Sequence, residues 1–147
     1  MVRKASIFLI SISLVIVLFV GFLYKKINMP YTDVIRLNWS IKLPNPYEEV
    51  YSIDSGPSFH GDGERYHIFS YKDNEDVELS LKWKEGKNVA VESAINQVLN
   101  TLNVPAKYMP DFQSKYKYYL KREQDSSVIY LVFFPNTKRL YVIEDIY

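Results

Sequence analysis

Twenty consecutive uncharged residues, Ala5 to Tyr24, constrain this chain more than any other feature. Fourteen of them are Leu, Ile, Val or Phe. At 1.5 Å per residue a helix of that length reaches roughly 30 Å, about the thickness of a bilayer's hydrocarbon core. At about −0.4 kcal/mol for each apolar residue, insertion is favoured by roughly 6 kcal/mol. The run therefore predicts an N-terminal transmembrane helix, carried by Ile7, Phe8, Leu9, Leu14, Leu18, Phe19 and Phe22. Tyr24 stands where an interfacial aromatic belongs, and Lys25 and Lys26 can snorkel. The alternative is a cleaved signal peptide. The run is longer than an ordinary signal core and ends Gly21-Phe22-Leu23-Tyr24-Lys25 without a small-x-small pair, so a retained anchor is the expectation.

Arg3 and Lys4 precede the run and Lys25 and Lys26 follow it, while the N-terminal amine adds one more charge to the short leading tail. A four-residue tail is easily left inside the cell. The expected arrangement is therefore a cell-membrane protein with an anchor over residues 1–27 and an extracytoplasmic soluble domain over 28–147. Setting those four residues aside, 14 Lys and Arg face 17 Asp and Glu, so the domain is mildly acidic. A nucleic-acid partner calls for a basic face and is not expected. The domain also holds 12 of the 13 tyrosines, which marks it as folded. The chain has no cysteine, which excludes a disulfide, a thiolate zinc site, a thiol nucleophile and a lipidated cysteine.

Periodicity predicts an α+β domain, an antiparallel β-sheet with at least one helix packed on a face. Strands are expected over Val34–Leu43, Glu49–Asp54, Arg65–Tyr71, Tyr116–Glu123, Val128–Phe134 and Leu140–Ile146. Val128–Phe134 is apolar at every position, as a central strand covered on both faces should be. Val77–Trp83 alternates and favours a strand, with a short helix capped by Asp76 as the alternative. Val89–Asn103 is the clearest helix. Val91, Ala94, Ile95, Val98, Leu99 and Leu102 fall on one face, and Pro105 stops it.

The densest cluster of chemistry-bearing residues is Asp54-Ser55-Gly56-Pro57-Ser58-Phe59-His60-Gly61-Asp62-Gly63-Glu64, which holds three of the five glycines. As a structured connection, its glycines supply positive φ and Asp62 binds backbone amides. As a site, Asp54, His60, Asp62 and Glu64 offer oxygen and imidazole ligands to a cation or small ligand. The spacing fits neither an EF-hand loop nor a helical zinc pair. A hydrolase-like enzyme would use His60 and Asp62 as an acid–base pair. The run Phe59-His60-Gly61-Asp62-Gly63-Glu64 resembles a signature of small bacterial proteins that join a signal-type or single-span N-terminus to one compact α+β domain. In that group a D-x-x-G-G stretch commonly precedes the signature; here Asp54-Ser55-Gly56-Pro57-Ser58 lacks the glycine pair. The resemblance implies a short helix before Trp83. It implies no activity, because the family has none established.

The second feature is Lys115-Tyr116-Lys117-Tyr118-Tyr119-Leu120-Lys121-Arg122. On a strand, Lys115, Lys117, Tyr119 and Lys121 share one face. Such a strip suits anionic headgroups or an acidic polymer, or it is a solvated edge guarded by lysines. No phosphate-cradling loop, nucleophile elbow or H-E-x-x-H motif occurs. The functional expectation is a single-pass membrane-anchored protein with a non-enzymatic interaction domain and no cofactor. Its partners would be membrane lipid through the helix and an envelope protein.

Overall fold

A computed structural model describes residues 13–21, 29–58 and 61–147. The chain divides into two compact units, Met1–Ile41 and Lys42–Tyr147.

In the first unit, residues 13–21 are helical, and Leu14 through Val20 are all exposed. Among the described residues no helix is long and apolar enough to cross a membrane. This overturns the expected transmembrane helix and the membrane character drawn from it. Of the anchor residues, Leu14, Leu18 and Phe19 are described, whereas Ile7, Phe8, Leu9 and Phe22 lie outside the described residues.

The unit's second element is also a correction. Helix α1, Tyr31–Trp39, stands where the alternation over 34–43 predicts a strand. Its buried residues are Thr32, Ile35 and Trp39, spaced three and four apart, and Leu37 is 66% exposed. That is helical periodicity, which the apparent two-residue alternation conceals. Arg36 pairs with Asp33 at 3.0 Å, one turn away. Ser40, at φ 55°, returns its N–H to the carbonyl of Arg36 and ends the helix.

The second unit is a six-stranded antiparallel sheet. Its strands are β1 (Glu48–Asp54), β2 (Gly63–Ser70), β3 (Lys84–Glu85), β4 (Lys117–Arg122), β5 (Val128–Phe134) and β6 (Arg139–Ile146), in spatial order β1-β2-β6-β5-β4-β3. The last strand thus enters between β2 and β5. β5 is buried at all seven positions, as its unbroken apolar sequence requires. On one face, helix α3 (Val89–Thr101) lays Val91, Ile95, Val98 and Leu99 against Tyr66, Ile68, Tyr130, Val132 and Ile143. The opposite face buries Phe69, Ile129, Leu131, Phe133, Leu140 and Val142, with Tyr47 on Phe69 and Trp83 beside Phe133.

Helix α2, Glu75–Ser80, replaces the strand favoured over 77–83. Val77 is its one buried residue. The indole N–H of Trp83 donates to the Val77 carbonyl at 2.9 Å, closing the helix end. Asn74 occupies the N-cap position in place of the expected Asp76.

Candidate functional site

The Asp54–Glu64 loop joins β1 to β2, and hydrogen bonds link several of its described residues. Asp54 accepts the Gly56 N–H at 2.8 Å, an Asx-turn. The Ser58 hydroxyl donates to Asp62. Ser55 Oγ accepts the Glu64 N–H at 3.0 Å, and the Arg65 guanidinium reaches the Gly61 carbonyl at 2.8 Å. Gly56, Gly61 and Gly63 all have positive φ. Strand parity separates the candidate ligands. Asp54 pairs directly with Arg65, so it lies on the face opposite Glu64, and Glu64 pairs instead with Asp145. Glu64 and Asp145 line a cavity of about 240 Å³ beside α3. Burial raises the Asp145 pKa, the Tyr147 hydroxyl opposes the rise, and the Glu64 charge adds to it. His60 lies outside the described residues. Among the described residues, no group of three or more His, Cys, Asp or Glu could hold a metal ion.

His67, on β2, lies 2.6 Å from Glu49 on β1 through Nδ1. Burial lowers its pKa, while the Glu49 hydrogen bond and the charges of Glu49 and Glu144 pull the other way. The histidine–carboxylate geometry of an acid–base pair is thus present. The imidazole, however, sits within the sheet's buried face, next to Phe69.

The larger constellation forms around the start of α3. Asn88 accepts the Val91 N–H through its side-chain oxygen, which caps the helix, and its amide donates to the Tyr118 hydroxyl at 2.9 Å. The Asn88 backbone N–H donates to the Tyr116 hydroxyl at 3.0 Å, which in turn donates to Glu92 at 2.6 Å. These bonds fix the Glu85-Gly86-Lys87 turn against β4. A second turn is set by Asp111, whose carboxylate accepts the Gln113 N–H at 3.1 Å and the Ser114 hydroxyl at 2.7 Å. Those two bonds hold the Asp111 pKa below the ordinary carboxylate value. A third wall comes from the β5–β6 hairpin, where the Thr137 and Lys138 amides return to Phe134 and Pro135.

The three walls border a half-open cavity of about 490 Å³, within the range of small-ligand sites. Lys87, Lys115 and Lys117 line it, with Glu85 the one carboxylate; Gln113, Ser114 and Asn136 add neutral polar groups, and Tyr116 and Pro135 apolar wall. The three lysines are not equivalent. Burial opposes the charge of Lys117, but Glu78 at 3.3 Å and Glu85 at 3.4 Å outweigh it and raise its pKa. Among the described residues Lys87 hydrogen-bonds only the Gln113 side-chain oxygen, at 3.4 Å, with the Asp111 charge nearby. Lys115 has no carboxylate partner among the described residues. The sequence brings Lys115 and Lys117 together as a strip. It does not bring in Lys87 or Asn136, which come from turns remote in the chain, and only the Gly86-Lys87 turn ahead of a capped helix offered a local signal. No protein-family model, curated protein or solved structure matches the chain.

Proposed function

We propose that the Lys42–Tyr147 unit is a non-enzymatic binding domain that captures an anionic group in the cavity between the β3–α3 turn, the 113–117 segment and the β5–β6 hairpin. The observation that carries this reading is the convergence of Lys87 and Lys115, neither in a salt bridge among the described residues, on one cavity. Two lysines lining one concave, partly apolar surface attract an anion more strongly than scattered surface lysines do. The lining supports binding over catalysis. Its side chains are cations, amides and hydroxyls, and its carboxylate, Glu85, is engaged by Lys117.

The test is a titration of the full chain with inorganic phosphate, followed by backbone amide chemical shifts. Shifts should centre on Gly86, Lys87, Ser114 and Asn136, weaken with added salt, and vanish in the Lys87→Glu, Lys115→Glu double variant. Shifts that survive this double charge reversal, or that centre elsewhere, overturn the proposal.

A further inference from the structure

The cavity's hydrogen-bonding inventory narrows the class of anion. The positive potential does not run on along β4. Lys117 is neutralised by Glu78 and Glu85, and Lys121 by Glu123 at 2.8 Å. A polyanionic chain laid along the strand would find its charges already answered beyond the cavity mouth. The neutral polar groups, by contrast, are open. Asn136 makes no side-chain hydrogen bond among the described residues, so it offers a donor and an acceptor. Gln113 spends its oxygen on Lys87 and keeps its amide hydrogens, and Ser114 spends its hydroxyl hydrogen on Asp111 and keeps an oxygen to accept. An apolar anion such as a fatty acid would cover these groups without satisfying them, at a cost comparable to a lost hydrogen bond for each. A bare inorganic anion would leave them unused. A hydroxylated body answers donors and acceptors together. Lysine, a compact charge with rotatable donors, suits an anionic group approached from several directions better than arginine's planar fork does.

We infer, building on the reading above, that the cavity selects a small hydroxylated anion, one anionic group carried on a sugar-like body. A sugar phosphate and a sugar acid share that chemistry. Lys87 and Lys115 take the charge, and Asn136, Gln113 and Ser114 take the hydroxyls.

Calorimetry on the full chain separates the sources and the alternatives, with glucose 6-phosphate, glucuronate, glucose, inorganic phosphate, octanoate and polyphosphate as probes. At least one of the first two should bind about tenfold more tightly than inorganic phosphate, the gain of one to two net hydrogen bonds. Whichever binds names the anionic group. Asn136→Ala should remove that tenfold gain and leave inorganic phosphate binding unchanged. Lys115→Ala should weaken both, and Lys82→Ala, an exposed lysine outside the cavity, neither. Equal affinity for hexose phosphate, glucuronate and inorganic phosphate overturns the inference. So does tighter, Lys115-dependent binding of octanoate or polyphosphate; in both cases the anion cavity itself stands. No Lys115-dependent binding by any probe overturns both.

Discussion

The Asn88 side chain donates to the Tyr118 hydroxyl at 2.9 Å while accepting the Val91 N–H at 3.2 Å, so one residue caps α3 and ties it to β4. The same residue holds the turn that carries Lys87. Asn88→Ala should cost about 1–2 kcal/mol, the usual worth of an N-cap together with a partner lost by a part-buried hydroxyl. Asn88→Asp keeps the acceptor for Val91 and loses the donor to Tyr118, so its loss should be smaller. Urea denaturation of the three proteins orders them, and an Asn88→Asp variant less stable than Asn88→Ala would contradict the capping role.

Helix α2 makes a sharper test of the fold, because its residues alternate as a strand would. Val77 is fully buried and Leu79 is 77% exposed. In a strand these two would share a face. Val77→Ala should destabilise by about 1–3 kcal/mol, by analogy with other large-to-small core changes, and Leu79→Ala by less than about 0.5 kcal/mol. Equal losses at the two positions would restore the strand.

What was legible in the sequence follows from how much chain each element had in which to declare its period. α3 repeats its apolar face over thirteen residues, and β5 is apolar throughout, so both are read correctly from the residues alone. α1 and α2 have nine and six residues. Over so few positions an apolar residue two along and another four along fit either period, and burial of Ile35 or Val77 decides. The candidate site divides the same way. Lys115 and Lys117 are neighbours on one strand, whereas Lys87 and Asn136 reach the cavity only through the register of β3, β4 and β5 and the hairpin that follows. Asp54 and Glu64 show the converse, since a compact run of ligand-type residues is parted by the pairing of Asp54 with Arg65.

The β1–β2 loop yields a backbone prediction. Gly63 has φ 118°, and a Cβ placed there would collide with Ser55 Oγ, the acceptor of the Glu64 N–H. Gly61 also has positive φ, at 76°, but faces open space. Both Gly→Ala changes carry conformational strain, of order 1–2 kcal/mol. Only Gly63→Ala also dislodges the Ser55 hydrogen bond, so it should be the more destabilising by roughly another 1 kcal/mol. Combining it with Ser55→Ala should recover little of the loss, because the Glu64 N–H is left without the Ser55 Oγ acceptor in either case. Thermal melts of the single and double variants check both statements.

His67 gives the fold a pH dependence whose sign can be worked out. Its pKa lies below the ordinary 6.5 in the folded chain, chiefly because burial disfavours the imidazolium. Neutral His67 donates its Nδ1 proton to Glu49 at 2.6 Å. When pH falls through 6.5, the unfolded chain takes up a proton that the folded chain refuses. Stability contributed by this residue is therefore full above 6.5 and is lost as pH drops toward the folded pKa, with a slope of at most about 1.4 kcal/mol per pH unit for one proton. Asp145 acts in the opposite sense and at lower pH, since its folded pKa is raised, so acidification relieves the cost of its burial. Urea midpoints between pH 7.5 and 5.5 should fall in the native chain and fall less in His67→Gln, which has no imidazole to titrate. The comparison is between slopes, so a uniform loss of stability in the variant does not disturb it. Equal slopes in the two proteins would show that His67 binds its proton alike in the folded and unfolded chains, and would remove its buried neutral pairing with Glu49 from the account.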